Sequence, residues 1–325
     1  MKKTLRKSNS IVVNAVGGLG NQLFVTFFGL AVSLTLKSNL IVDDKLIGFG
    51  SNPKRQLEVS KLNFGDLKIK YRLNYFNTFE IFKKSRFFRK ILWLIFRMKI
   101  GSVNEVDVFN SKFKFETGQV FSGYFQDWFY PDLVYDLNSG LELKIKNPSL
   151  NLQKLILDYN AMNTICVHVR IGDYLNFPEI YTILPERYFL ESINHLKSSN
   201  KTKIWTFIED SSQLSKFYPK LFEISDKVLD QKSGVSDVES FYLLASSNRL
   251  IASNSTYSLW AGWFVEKNGF EVVVPMQLGI KGGAKNLISS RWARYNIDTN
   301  EIMPKSLSKG KYDLRISEFY NQFTF

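Results

Sequence analysis

Three short polar stretches follow apolar runs of the 325-residue chain, and their residue types suit a phosphate-bearing ligand. The first is the glycine turn "GGLG" at residues 17–20, the second is "HVRIGDY" at residues 168–174, and the third is "SNSTY" at residues 253–257. Open backbone amides at a helix N-terminus bind anions, and a guanidinium presents a planar fork to phosphate oxygens. Three such stretches in one chain indicate a diphosphate ligand.

The glycine turn by itself leaves more than one interpretation open. Gly18 and Gly20 begin a G-x-G-x-x-G dinucleotide pattern, but residue 23 is not glycine, so that fingerprint fails. A plain tight turn would explain the glycines equally well. Asn21 and Gln22 favour a ligand, because their amides both donate and accept hydrogen bonds. We therefore predict Gly18, Gly20 and Gln22 as binding residues of a polar ligand, and Asn21 as a catalytic residue.

The second stretch places polar groups at the end of an apolar strand, the edge at which α/β proteins bind ligands. We predict Arg170 as the group that binds phosphate oxygens. Asp173 is placed to orient a hydroxyl or an arginine, and it is our candidate for a general base. A structural Arg170–Asp173 pair that caps the strand is the alternative.

The third stretch lies where a strand gives way to an apolar helix, so its hydroxyls either cap that helix or hold a phosphate. Asn254, Ser255, Thr256 and Tyr257 are predicted to bind the ligand. The sequon at residues 254–256 would matter only in a secreted protein.

Two acidic residues near these stretches are further candidates. Asp210 ends a strand together with Glu209, and Asp237 begins a helix. A carboxylate that accepts two donors suits a guanine edge or a ribose. Both Asp210 and Asp237 are equally explained as helix-entry residues.

The sequence indicates no metal or cofactor. It contains no Walker lysine motif and no Asp-x-Asp motif, and its one cysteine (Cys166) and two histidines lack the spacing of a zinc site. Arg170 and helix N-termini would then neutralise the diphosphate without a metal ion.

Strands alternating with helices predict an α/β chain with parallel sheets. A strand, helix and strand at residues 11–16, 21–37 and 39–44 open the chain. The second half predicts strands at residues 163–170, 201–210, 248–254 and 270–276, with helices at residues 185–197, 236–247 and 255–269. A boundary near residues 137–151 divides the chain into domains at residues 1–150 and 151–325.

The net charge of +13 and pI near 9.5 suit nucleic acid, an anionic membrane surface or an anionic small substrate. We expect no nucleic-acid partner, because the basic residues are spread widely. Segment 83–99 carries seven Lys or Arg and no acid, which fits either a helix packed on the first domain or docking at an anionic membrane. No signal peptide or spanning segment is recognisable, so we expect a cytoplasmic protein, with peripheral contact to the inner membrane through residues 83–99 as an option.

Together, "GGLGNQLF", "HVRIGDY" and "SNSTYSLWAGW" resemble the motifs of the bacterial α-1,2-fucosyltransferases, family eleven of the glycosyltransferases. The resemblance implies a GT-B-like fold, with two Rossmann-like lobes facing a central cleft. Residues 1–150 would form the acceptor-side lobe and residues 151–325 the GDP-fucose-binding lobe. Arg170 would clamp the diphosphate, His168 would contact the nucleotide, and the hydroxyls of Ser255 and Thr256 would hold phosphate oxygens.

The activity implied is inverting, metal-independent transfer of L-fucose from GDP-β-L-fucose to the 2-hydroxyl of a terminal β-galactose. The acceptor would be a galactose-ended glycan, lipid-linked or at the cell surface. The sequence departs from the family at Ile171, where many members have a second arginine, and at Leu259, which replaces a common tryptophan. A transferase for another nucleotide sugar and a non-enzymatic polyanion-binding protein are the rival hypotheses.

Overall fold

The computed structural model describes residues 9–47, 55–73, 103–110, 112–159, 163–277, 287–306 and 310–323. Their contacts form two compact units: unit 1 comprises residues 1–142 and 309–325, and unit 2 comprises residues 143–308. The chain therefore divides between residues 142 and 143, whereas the sequence predicted a single boundary after residue 150.

The larger difference is at the C-terminus, which returns to unit 1 instead of completing the second domain. In the C-terminal helix (Gly310–Tyr320), Arg315 donates to both carboxylate oxygens of Asp127 at 3.0 and 2.5 Å. Phe319 packs against Phe115 with the ring centroids 5.6 Å apart. An aromatic core and a forked ion pair thus retain this helix on unit 1.

Unit 1 contains a five-stranded parallel sheet in the order β4-β2-β1-β6-β5. The predicted opening is confirmed, with strand, helix and strand in the expected places. The elements are Ser10–Asn14 (β1), Leu19–Thr35 (α1), Asn39–Asp43 (β2), Leu62–Phe64 (β3), Ile69–Arg72 (β4), Val103–Asn104 (β5), Glu105–Val108 (α2), Val120–Ser122 (β6) and Phe129–Leu137 (α3).

Helix α1 is the centre of the unit 1 core. Fourteen of its 17 residues are buried, which explains why its sequence is apolar all round instead of showing one apolar stripe. Phe28 of this helix stacks on Phe125 at a centroid distance of 3.8 Å. Burial on every side fixes the position of the glycine turn that precedes α1.

Unit 2 contains a seven-stranded sheet in the order β10-β9-β8-β11-β12-β13-β14, parallel except for the β13–β14 pair. Its predicted strands and helices are confirmed within a few residues. The elements are Leu143–Ile145 (β7), Leu150–Asp158 (α4), Thr164–His168 (β8), Glu186–Leu196 (α5), Lys203–Phe207 (β9), Ser211–Phe217 (α6), Pro219–Ile224 (α7), Lys227–Leu229 (β10), Asp237–Ala245 (α8), Arg249–Ile251 (β11), Thr256–Lys267 (α9), Glu271–Pro275 (β12), Ala293–Asn296 (β13) and Glu301–Met303 (β14).

Each unit has a topological switch point. In unit 2 the chain runs from β8 to β9 and β10 on one side, and later places β11 on the other side of β8. In unit 1, β2 and β6 flank β1 in the same way. Ligands of open α/β sheets bind outside the carboxyl ends of the strands at this point. The two predicted Rossmann-like α/β units are therefore present, each with its own candidate crevice.

The basic segment 83–99 lies outside the described residues. None of the helices in the described part of the chain combines the length and the apolar character that crossing a bilayer requires.

Candidate functional site

A hydrogen bond bridges the switch point of unit 2. His168 is the last residue of β8, and its Nδ1 lies 2.8 Å from the Oγ of Ser253, just beyond β11. Its ring packs against Tyr257 with centroids 5.1 Å apart. Burial, and then the positive charge of Arg170, lower the pKa of His168 to about 3. His168 is therefore neutral near pH 7, so it acts as a hydrogen-bonding group and not as a cation.

The neutral state of His168 predicts a loss of stability in mild acid. The unfolded chain protonates histidine near pH 6.5, whereas the folded chain does so only near pH 3. Within this window the unfolded state binds more protons, so stability falls as the pH falls. Between pH 7 and pH 5 the loss is about 2 kcal/mol.

Urea unfolding at both pH values tests this prediction. His168→Gln should remove this part of the pH dependence, and His195→Gln, a change of an exposed histidine on α5, should keep it. An equal pH dependence in wild type and His168→Gln would contradict a histidine held neutral.

Arg170 lies two residues beyond β8, opposite Glu209, which lies two residues beyond β9. Arg170 Nη1 donates to Glu209 Oε1 at 2.6 Å. The two meet because His168 and Phe207 are paired in the β8–β9 register. The guanidinium carbon also lies 5.7 Å from the centre of the Tyr174 ring. Tyr174 in turn donates to the backbone just beyond β11, so the Arg170 guanidinium belongs to the same switch-point site.

The loop after Arg170 is tied to the end of β11. Tyr174 Oη donates to the backbone oxygen of Asn254 at 2.9 Å, and Asn254 Nδ2 donates to the backbone oxygen of Thr182 at 2.7 Å. Tyr174 also stacks on Tyr181. Asn254 is only 4% exposed. Its Nδ2 holds the loop, whereas its buried Oδ1 has no hydrogen-bond partner in the described structure, so the predicted ligand contact of Asn254 stays a prediction.

Helix α9 begins at this switch point with the features of an anion site. Ser255 is its N-cap, and the Ser255 Oγ accepts from the backbone N–H of Ser258 at 3.2 Å. An α-helix leaves its first N–H groups without intrahelical partners, here those of Thr256 and Tyr257. No acid lies in the first turn to offset the positive helix end. The predicted capping alternative for Ser255 is thus observed, and the helix start remains suited to phosphate.

Of three further predicted binding residues, Tyr257 and Asp210 make hydrogen bonds within the fold, and Asp237 has an exposed carboxylate. Tyr257 Oη donates to the backbone oxygen of Asp237 at 2.6 Å, which joins α9 to α8. Asp210 caps α6 by accepting from the N–H of Ser212 at 3.0 Å, and this hydrogen bond lowers the Asp210 pKa. Ser236, and not Asp237, caps α8. The Asp237 carboxylate is exposed and stays a candidate for binding.

In unit 1, Gln22 was predicted to bind the ligand, but its side chain has a structural role instead. Its side chain is fully buried. Nε2 donates to the backbone oxygens of Gly17 at 3.1 Å and Gln56 at 2.9 Å, and Oε1 accepts from the N–H of Val59 at 3.1 Å. Gln22 therefore fastens the glycine turn to the segment at residues 56–59.

The glycine turn itself has the geometry that its sequence requires. Gly17 has φ +67°, and a Cβ there would lie 2.5 Å from Nδ2 of Asn21. Gly18 is the N-cap of α1, and Gly20 is buried in its first turn. The half-buried Asn21 accepts through Oδ1 from Gln126 Nε2 at 2.9 Å. Asn21 thus keeps a solvent-facing part near the carboxyl end of β1.

The two departures from the family pattern are both core positions. Ile171 is 1% exposed and lies in the apolar core of unit 2, and Leu259 is fully buried. The side chain at residue 171 therefore packs in the apolar core of unit 2, an environment that suits isoleucine. The side chain of Asp173, our candidate base, lies outside the described part of the chain.

Sequence reasoning missed Ser253, Gly172 and the pairing role of Glu209. Ser253 is fully buried and holds His168. A Cβ on Gly172 would lie 1.6 Å from Glu209 Oε2, so this glycine leaves room for the carboxylate. The pairing of β8 with β9 is the signal that identifies Glu209. His168 and Phe207 are paired, so Arg170 and Glu209, each two residues further on, lie opposite each other.

No group of three or more His, Cys, Asp or Glu placed to hold a metal occurs among the described residues. Cys166 is buried, and burial raises its pKa to about 12, so it is an inert core thiol.

Two parallel α/β units, one of which brings an arginine and a helix N-terminus to its switch point, define an α/β protein whose site suits an anionic ligand. Residues 10–279 match glycosyl transferase family 11, and the chain belongs to that family. It is therefore a glycosyltransferase, which answers the open question between an enzyme and a polyanion-binding protein.

Individual relatives are more distant. The chain is 27% identical over 273 residues to an α-1,2-colitosyltransferase of Escherichia coli, a match that covers 78% of this chain and 87% of the relative. Among solved structures it is similar to fucosyltransferase NodZ from Bradyrhizobium, with 14% identity, a TM-score of 0.47 and coverage of 80% and 94%. NodZ α-1,6-fucosyltransferase soaked with GDP-fucose gives 11% identity, a TM-score of 0.49 and coverage of 92% and 100%. The two-unit α/β fold is therefore assigned from the strand order of the two sheets in this chain.

Proposed function

We propose that the enzyme transfers L-fucose from GDP-β-L-fucose to the 2-hydroxyl of a terminal β-galactose, with inversion at the anomeric carbon. The observation that carries the proposal is that Arg170 follows β8 and α9 follows the neighbouring strand β11 at the unit 2 switch point, in a chain of glycosyl transferase family 11. Unit 2 would bind the GDP part, and unit 1 would receive the galactose-ended acceptor.

The charges of this site suit a nucleoside diphosphate as leaving group. Breaking the sugar–phosphate bond develops positive charge on the sugar ring and negative charge on GDP. Arg170 is always charged, and the N–H groups that begin α9 add fixed positive ends. Donors that are in place before reaction stabilise developing charge without reorganisation. We therefore propose that Arg170 and these N–H groups offset the negative charge of the departing GDP without a metal ion.

The acceptor side of the proposal rests on Asn21. Its amide lies beyond β1 in unit 1, held through Oδ1 by Gln126. An amide so fixed can orient a sugar hydroxyl, but it is no base. A dissociative reaction, in which the fucose–phosphate bond is largely broken before the acceptor attacks, needs little help from a base. Asp173 remains our candidate for accepting the acceptor proton.

A second donor deserves a direct comparison, because a relative of this chain is an α-1,2-colitosyltransferase. Colitose is L-fucose without its 3-hydroxyl group. A site that hydrogen-bonds this hydroxyl would reject the deoxy sugar by about 10⁴-fold or more, whereas an apolar pocket would discriminate by about 10²-fold at most. The ratio of kcat/KM for the two donors therefore reports how that position is bound.

The test is a donor panel of GDP-fucose, GDP-colitose and UDP-galactose, each with lactose, N-acetyllactosamine and Gal-β1,3-GalNAc as acceptors. We expect the highest kcat/KM with GDP-fucose, unchanged turnover in EDTA, and an α-1,2 linkage in the product by NMR. Preference for GDP-colitose would replace the donor and keep the site. Turnover only with UDP-galactose, or loss of activity in EDTA that Mn²⁺ restores, would contradict the proposal.

A further inference from the structure

The ion pair of Arg170 and Glu209 points to a second residue that acts on the diphosphate. We propose that Glu209 is a positioning residue, which holds the guanidinium of Arg170 ready for the phosphates of the donor. This inference rests on the proposed function, because it takes the donor to be a GDP-sugar.

The contact leaves Arg170 able to bind a ligand. The pair is short, 2.6 Å between Arg170 Nη1 and Glu209 Oε1, and the Arg170 side chain remains 23% exposed. The contact with Glu209 is made by Nη1 alone, one of the nitrogens over which a guanidinium spreads its five N–H donors. The Tyr174 ring lies against the same group. A long side chain fixed from two directions before binding loses less rotamer freedom when the ligand arrives.

Gly172 shows that the chain makes room for this carboxylate. A Cβ at residue 172 would lie 1.6 Å from Glu209 Oε2 and 2.8 Å from its Cδ. The backbone at Gly172 does not lie in the left-handed region that favours glycine. Space for Glu209, and not backbone conformation, is therefore the reason for a glycine here.

A competing role for Glu209 has the opposite sign. A carboxylate beside Arg170 also cancels part of the positive charge that would attract phosphate. If this were the only effect of Glu209, the carboxylate would compete with the diphosphate for Arg170 and weaken GDP binding. Loss of the carboxylate would then tighten binding. If Glu209 positions Arg170, its loss weakens binding, because the free arginine samples many rotamers.

The first measurement is calorimetric binding of GDP and of guanosine to wild type and Glu209→Ala. We expect about 10-fold to 100-fold weaker GDP binding, by analogy with the loss of residues that orient the ligands of a metal ion, and unchanged guanosine binding. Only a phosphate-specific effect gives this difference, since general damage to the site would weaken both ligands. Glu191→Ala is the control, because Glu191 pairs with Arg187 on the exposed face of α5.

The second measurement combines Glu209→Ala with Gly172→Ala. The carboxylate is the end of a flexible side chain, so an alanine at residue 172 can displace it at small cost to the fold. Gly172→Ala alone should therefore weaken GDP binding as much as Glu209→Ala does. In the Glu209→Ala background, Gly172→Ala should cause no further loss of GDP affinity.

The outcomes separate the two proposals. Tighter GDP binding in Glu209→Ala, equal losses for GDP and guanosine, or additive losses in the double variant would each overturn the positioning role and leave the donor assignment intact. Failure of the wild type to bind GDP, with tight binding of UDP instead, would overturn both.

Discussion

Replacing Arg170 with alanine should abolish sugar transfer and leave the protein folded. Arg170 is a charged side chain two residues beyond His168, at the switch point where α9 also begins. It would face the negative charge that develops on the departing diphosphate. Removing a group that stabilises this charge costs about 10²-fold to 10³-fold for a neutral donor and about 10³-fold or more for an arginine. We expect a loss of at least about 10³-fold in kcat.

The measurement is initial-rate transfer from labelled GDP-fucose, with urea unfolding to verify the fold. Stability should change by less than about 1 kcal/mol, because the Arg170–Glu209 pair is partly exposed to solvent. Arg187→Ala is the matched control, an exposed arginine that also pairs with a glutamate. Near-normal turnover of Arg170→Ala would remove the diphosphate role.

Gln22→Leu should destabilise unit 1 by about 3 kcal/mol, although the sequence placed this residue in the binding site. The buried amide satisfies the backbone groups of Gly17, Gln56 and Val59. Leucine has a similar size but makes none of these bonds, and each buried group left unpaired costs about 1–3 kcal/mol. The expected loss is near the low end, because water can reach part of the turn.

Urea unfolding monitored by circular dichroism measures this loss. Gln153→Leu is the control, since Gln153 lies on the exposed side of α4 and donates to a single carbonyl at 3.2 Å. It should change stability by less than about 0.5 kcal/mol. If Gln22→Leu had an equally small effect while transfer fell, Gln22 would be a ligand contact after all.

Much of the fold follows from the sequence because its patterns are local. The apolar run before the glycine turn predicted a strand at residues 11–16, and β1 is Ser10–Asn14. The wholly apolar helix that follows is α1, which is buried on all sides. The order of strands and helices in the second half predicted a parallel sheet, and in that sheet β8 and β11, which His168 ends and Ser255 follows, are neighbours.

What the sequence did not predict depends on distant partners. The amide nitrogens of Gln22 and Asn254 are donors that suit a ligand, but backbone oxygens 34 and 72 positions away along the chain accept from them. The C-terminal helix returns to unit 1 because Asp127 is there to receive Arg315. No local pattern distinguishes an amide that binds ligand from one that binds backbone. The strand register comes closer, because it places Glu209 opposite Arg170.

The most direct test of the site is a crystal structure of the protein with GDP bound. We predict diphosphate oxygens within hydrogen-bonding distance of the Arg170 guanidinium and of the N–H groups of Thr256 and Tyr257. Glu209 should still contact Arg170 in that complex. A diphosphate bound elsewhere, for example at the glycine turn of unit 1 with Arg170 paired only to Glu209, would contradict the assignment of unit 2 as the donor-binding unit.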